Sequence, residues 1–193
     1  MFGTCFQSCA TNLCEYVGPN GDQWFTSFHA NGVIARISND GKLTKFQPST
    51  NGKPQRLDLD ADGNVSFSER QGNKIEKLYP SSGAIKEYAL IGPEASPYAI
   101  GVGKGHMIWF SSHEQDTVNR LKPETGEVTE YPDPHSEISI REFFLDKKGR
   151  MWYARHVSHA DTPPLQFRYR FEPGLCDEAV NGIVVFRADG DRI

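Results

Sequence analysis

Four positions set a register along the chain. Trp24, Ser66, Trp109 and Trp152 stand 42, 43 and 43 residues apart, and all three tryptophans of the protein fall on it. The first sits in Gly18-Pro19-Asn20-Gly21-Asp22-Gln23-Trp24-Phe25-Thr26, the second in Asp60-Ala61-Asp62-Gly63-Asn64-Val65-Ser66-Phe67-Ser68. The third ends Met107-Ile108-Trp109-Phe110-Ser111 and the fourth Arg150-Met151-Trp152-Tyr153-Ala154. A repeat of this length must be one supersecondary unit that buries its apolar face against its neighbours.

Each unit reads as short alternating strands. Downstream of the anchor come Val33 to Ile37 and Leu43 to Phe46, joined through Asp40-Gly41. The second unit has Lys74 to Leu78 and Ile85 to Tyr88 around Ser82-Gly83, and the third has Thr117 to Leu121 and Val128 to Tyr131 around Thr125-Gly126. Glycine turns between alternating runs are hairpin signals. A further strand precedes each anchor: Arg56 to Leu59, Tyr98 to Val102 and Glu142 to Leu145. Four strands per unit at this period define a propeller blade. The expected fold is all-β: one β-propeller domain of four blades, at about 14–47, 54–89, 97–132 and 141–193. The last is interrupted by an insertion at 156–180, after which Asn181-Gly182-Ile183-Val184-Val185 echoes Asn31-Gly32-Val33-Ile34-Ala35.

The blade pattern resembles the virginiamycin B (streptogramin B) lyase family. It is carried by Trp24-Phe25-Thr26 with Asn31 to Ile37, by Ser66-Phe67-Ser68-Glu69 with Gly72-Asn73-Lys74-Ile75, and by Trp109-Phe110-Ser111. The likeness runs over residues 16–155, with an echo at 181–190. The resemblance implies a ring of about seven blades. It also implies a magnesium-assisted elimination that linearises a cyclic ester-linked peptide without hydrolysis. The family's catalytic histidine position, five residues after the anchor, holds His29, Gln71, Glu114 and Val157 here. Its acidic position, three after the anchor, is matched by Glu69, with Ser27, Ser112 and Arg155 elsewhere.

Propeller topology gathers the loops after the anchor strands and the loops before the first strands at one end, around an axial funnel. That brings together His29, His113 and His156 as candidate catalytic residues. Ser27, Gln71, Tyr98, Arg141 and Arg155 become candidate substrate contacts, and Glu69 and Glu114 candidate metal ligands for Mg2+. Histidine exchanges protons near neutral pH, and a hard cation held by carboxylates would polarise a carbonyl. The residues leave several readings open: a lyase, a ring-forming cyclase, a lactonase-like metal hydrolase, or a binding module without catalysis. His156, His159 and Asp161 open the insertion, which carries Arg168, Arg170 and Phe171 further on.

Asp58-x-Asp60-x-Asp62-Gly63 followed by Glu69 fits the ligand spacing of a calcium loop. An EF-hand needs a helix on each side. Pro54 lies upstream and an alternating strand downstream, so the run is read as a blade turn without tight calcium binding.

The net charge of −4 argues against a nucleic-acid partner, and no apolar run approaches a membrane span. The start, Met1-Phe2-Gly3-Thr4-Cys5, lacks a signal-peptide pattern, which reads as cytoplasmic by default. Cys5, Cys9, Cys14 and Cys176 match no zinc spacing and leave disulfides open. Because an open propeller edge is avoided, either the four blades close tightly or a second copy or another chain completes the ring; the expected partners are a small-molecule substrate and, by the commoner case, a second copy.

Overall fold

The computed structural model describes residues 15–28, 31–92, 95–132, 138–146, 149–157 and 182–187. It contains four antiparallel sheets that follow the sequence register. The first orders β1 (Glu15–Val17), β2 (Gln23–Thr26), β3 (Ile34–Ile37) and β4 (Leu43–Phe46). The second orders β5 (Pro54–Leu59), β6 (Val65–Glu69), β7 (Lys74–Tyr79) and β8 (Ala84–Ala89). The third orders β9 (Pro97–Val102), β10 (Ile108–Ser112), β11 (Thr117–Lys122) and β12 (Glu127–Pro132). In the fourth, β13 (Ile138–Ser139) and β14 (Phe143–Leu145) lie on one side of β15 (Arg150–Val157), and β16 (Gly182–Arg187) lies on the other. Among the described residues, no helix is long and apolar enough to cross a membrane.

The fourth sheet departs in one detail from the expected boundaries. The second strand was expected to end before His156, but it runs on to Val157. Ser139 pairs with His156 and Ile138 with Val157, so the backbone there has ladder partners. The echo from Gly182 onward is a third strand, since Tyr153 pairs with Val184 as Phe25 pairs with Ala35.

The first strands stand side by side around the axis, β5 packing against both β9 and β1. Those of the second, third and fourth blades carry the same irregularity. Register shifts by one residue between Pro54 and Leu57 in β5, and between the partners of Phe110 and Ser112 in β9. The break between β13 and β14 repeats it. Such a bulge bends a strand and frees backbone groups from the ladder. A buried hydroxyl two residues after the anchor takes them up in the first three blades. Ser68 Oγ accepts from Arg56 N at 3.3 Å and donates to Tyr98 O of the next blade at 2.8 Å. Ser111 Oγ accepts from Ala99 N at 3.0 Å and donates to Ile140 O at 2.7 Å. Thr26 Oγ1 donates to Gln55 O at 2.9 Å. These hydroxyls tie blade to blade.

Apolar packing between blades does the rest. Trp24 is covered by Leu57, Leu59, Val65, Phe67 and Leu78 of the second blade. Trp109 is covered by Phe143, Met151 and Tyr153 of the fourth. Both tryptophans are 2% exposed, so the anchors occupy equivalent places as the register requires. The turn before each anchor strand closes on a left-handed residue, Gly21, Gly63 and Gly149 at φ 87°, 80° and 78°. His106 takes that conformation in the third blade, at φ 59°, where a side chain is disfavoured.

Ser68→Ala should lower unfolding stability by about 1–3 kcal/mol, because it leaves a buried N–H and a carbonyl unpaired. Urea titration beside Lys45→Ala, an exposed control expected to change stability by less than about 0.5 kcal/mol, measures it.

Candidate functional site

Two backbone hydrogen bonds hold the mouth of the axis. Gln71 N donates to Gly52 O at 3.1 Å, and His113 N donates to Ser96 O at 3.2 Å. The loops after the second strands and those before the first strands therefore share one end, as the topology required.

At that end blades two, three and four contribute to one cluster. The bulge of β9 presents Tyr98. Its ring meets the His113 imidazole with centroids 5.7 Å apart. The guanidiniums of Arg56 and Arg70 lie 5.3 and 5.8 Å from the same ring. Arg70 Nε donates to Ser96 Oγ at 3.1 Å, and its Nη2 reaches Glu114 Oε1 at 3.3 Å. That carboxylate oxygen also lies 3.2 Å from His113 Nδ1. Arg56 is buried and pairs with the exposed Glu142 at 3.6 Å. Burial lowers the His113 pKa, and the charges of Arg70 and Arg141 lower it further; Glu114 opposes them. The result is a neutral imidazole held by Nδ1, with Nε2 left to accept a proton.

Asp58 lies deeper, where three blades meet. It accepts from Leu59 N at 2.8 Å and from Val102 N of the third blade at 2.6 Å. The Tyr16 hydroxyl of the first blade also donates to it. Burial dominates, and its pKa is pushed up to about 6.

The two expected metal ligands are not equivalent. Glu69 is fully buried. Its Oε2 accepts from Thr50 Oγ1 at 2.8 Å and lies 3.7 Å from Lys74 Nζ. Gly52 and Gly72 close over it so tightly that a Cβ on either would overlap the carboxylate. Lys74 also contacts Glu76 at 3.1 Å and Glu87 at 2.8 Å, while Ser49 bridges Glu76 and Glu87. Burial raises the pKa of Glu69 and of Glu76. Burial alone would lower Lys74, but its bonds to Glu87 and Glu76 outweigh that and raise it. Glu114 is exposed and held by Arg70. An ammonium beside one carboxylate and a guanidinium beside the other do not fit a shared Mg2+, and no step below runs through one.

Ser27 is half-buried and Gln71 exposed, both in loops at the mouth. Arg141 follows the buried Ile140 and senses the same space as His113. Arg155 and His156 occupy β15, where only their strand positions are described. His29, His159, Asp161, the 158–181 segment and the four cysteines lie outside the described residues. Sequence reasoning missed Arg56, Arg70 and Glu142 as members of the cluster. The available signal was adjacency in the chain: Arg56 follows Gln55, Arg70 precedes Gln71 and Glu142 follows Arg141.

The calcium-like run is dismantled by the fold. Asp58 faces Val102. Asp60 is buried, accepting from Asp62 N, Asn64 N and Asn64 Nδ2 and pairing with Lys77 at 2.9 Å. Lys77 thus takes the place that an indole fills in the fourth blade, where Trp152 Nε1 donates to Asp146 at 3.1 Å. His106 adds a contact of 3.3 Å to Asp60.

The fold and the axial cluster define a β-propeller of four-stranded blades with a polar site at one end of its axis. The virginiamycin B lyase family model matches residues 10–160, and the chain belongs to that family. Among solved structures, the virginiamycin B lyase of Staphylococcus aureus is 29% identical at a TM-score of 0.67, covering 75% of this chain and 51% of the lyase. A streptogramin B lyase is 28% identical at a TM-score of 0.65, covering 72% of this chain and 49% of that one. The chain thus spans about half the length of these relatives. A putative gluconolactonase, 15% identical at a TM-score of 0.64, shares the fold over 93% of this chain and 61% of its own. A comparison with curated proteins returned no match.

Asp62 lies 3.7 Å from His106 Nε2, so Asp60 and Asp62 meet on that imidazole, but Asp58 and Glu69 are turned to other partners and Lys77 neutralises Asp60. Calorimetric titration of the metal-free protein with calcium should therefore give no micromolar site at Asp58 to Glu69. Asp58 also sets a pH dependence. Its folded pKa, about 6, lies above its unfolded value, so its contribution is present below about pH 4 and is lost as pH rises through about 6. Urea unfolding across that window should show the slope, and Asp58→Asn should flatten it.

Proposed function

We propose that the chain acts on a small cyclic ester-linked molecule at the axial mouth, by elimination rather than hydrolysis. The observation that carries this reading is the His113 imidazole, oriented by Glu114 and set among Tyr98, Arg70 and Arg56. Membership of the lyase family supports the reaction class.

The chemistry asks for three things. A base must remove a proton from a carbon beside a carbonyl. The electron pair then forms a carbon–carbon double bond as the adjacent carbon–oxygen bond of the ester breaks. The departing oxygen leaves as a carboxylate. His113 Nε2 is suited to the first task, because burial and then its positive neighbours favour the neutral ring, and Glu114 orients it through Nδ1. Arg70 and Arg141 are suited to the last, since guanidinium groups stabilise a developing carboxylate. Tyr98 and the stem of Arg56 offer a flat apolar wall for the ring of the substrate. Magnesium, which the family resemblance implies, would polarise the carbonyl when bound; at the mouth Glu69 and Glu114 are each engaged by a cationic side chain. His29 and His156 remain candidates for a second proton carrier.

Mass spectrometry on cyclic depsipeptides and lactones tests the reaction class. Elimination gives a product of unchanged mass, whereas hydrolysis adds one water and would overturn the reading. His113→Ala should lower kcat by about 100-fold or more while the fold survives. The acid limb of the pH–rate profile should fall below the ordinary histidine range, as the lowered pKa requires. Glu114→Gln should move that limb lower still, because it removes the carboxylate that raises His113.

A further inference from the structure

The second and third blades meet, at the end away from the mouth, on a charge cluster that the first seam only half repeats. In the second blade Asp60 pairs at 2.9 Å with Lys77, which stands opposite the anchor Ser66 in register. His106 of the third blade reaches across the seam to Asp60 and Asp62, at 3.3 and 3.7 Å. Counted from the anchors, the first seam has Gly18 for Asp60, Asn20 for Asp62, Arg36 for Lys77 and Gly63 for His106. The cation is kept, while both carboxylates and the imidazole are gone.

A cleft of about 460 Å³ lies there, between the first and second blades. All its walls belong to the described residues, at the end where the β1–β2, β5–β6 and β7–β8 turns emerge. Trp24 and Arg36 come from the first blade, Leu59 and Pro80 from the second. A Cβ on Gly63 would find only Pro19 near it, at 4.0 Å, so the space that His106 takes in the next seam is open here. The Arg36 guanidinium lies over the Trp24 ring at 5.6 Å, and Asp22 stands 3.7 Å from its Nε. Among the described residues no hydrogen bond engages that Nε, and the side chain is 30% exposed. Arg120, its counterpart in the third blade, has a second ring against it, Tyr131, besides its indole.

A guanidinium presents a planar fork that matches a carboxylate. Asp22 behind Arg36 and the exposed Asp62 on the wall leave no surplus positive charge, so the cleft suits one negative charge and repels a dianion such as phosphate. Leu59, Pro19 and Pro80 offer apolar surface to the rest of a ligand, and the volume is that of a small-molecule site. We infer that this cleft binds a small monocarboxylate with an apolar body. Its carboxylate takes the place on Arg36 that Asp60 takes on Lys77. The site does not rest on the reaction proposed for the mouth.

Titration with 3-phenylpropionate tests it, followed by the three indole N–H resonances, with Trp24→Phe assigning that of Trp24. The Trp24 signal should shift saturably, and those of Trp109 and Trp152 should stay. The neutral 3-phenylpropanamide should bind at least about 10-fold more weakly, because it lacks the charge that Arg36 meets. Arg36→Gln should weaken 3-phenylpropionate by at least as much. Ser81→Phe fills the cleft from an exposed turn and leaves Arg36 in place, so it should also abolish the shift. Circular dichroism checks that each variant folds, and Ser81→Phe decides the matter if Arg36→Gln does not. Absence of a saturable shift at Trp24, equal binding of the amide, or a shift that survives Ser81→Phe would overturn the inference.

Discussion

A bulge in the inner strands of the second, third and fourth blades, and the hydroxyls of Thr26, Ser68 and Ser111 that answer it, govern the rest of this structure. Four-stranded sheets packed around an axis crowd at their inner edge, and a regular strand there would leave no way to turn side chains toward the axis. The bulge bends the strand and releases backbone groups. Ser68 and Ser111 take up those groups and join them to the neighbouring blade. The same short segment thus creates the strain, relieves it and aims Tyr98 and Arg141 at the mouth. Loss of one hydroxyl would affect stability and the site together.

Charge is partitioned by depth and by blade. Glu69, Glu76 and Lys74 form a sealed group behind Gly52 and Gly72, which ties the β4–β5 connection to the second blade. Breaking such a group leaves an uncompensated buried charge, which is strongly destabilising. The mouth differs: Arg70, Glu114 and His113 are only partly covered, and burial of the ring, helped by the charges of Arg70 and Arg141, lowers the His113 pKa. Glu69 and Glu114 look alike as funnel carboxylates in the sequence. Side-chain alternation along β6 sends Glu69 into the sheet, whereas Glu114 lies in a turn beyond the end of β10.

The Ser66 blade shows how the repeat tolerates a missing anchor. Where Trp152 donates its indole N–H to Asp146, Lys77 donates to Asp60 from the adjacent strand. The turn keeps its acceptor satisfied with a different donor, and the calcium-like spacing of Asp58, Asp60 and Asp62 is a by-product of turn and strand chemistry.

The anchor spacing, the glycine turns and the alternating runs by themselves determined the blade, its four strands and its register. These are local patterns, and a period near 43 residues leaves few architectures that bury one apolar face per unit. The sequence also determined which loops share the mouth, since strand count fixes the end at which each loop emerges. The tertiary structure alone decided which polar residues meet there. Arg56 and Arg70 reach Tyr98 across a blade boundary, Asp58 binds Val102 across the same one, and Glu69 is lost to Lys74. Those outcomes depend on a one-residue shift in pairing and on the packing of neighbouring blades, and neither leaves a periodic trace in the chain.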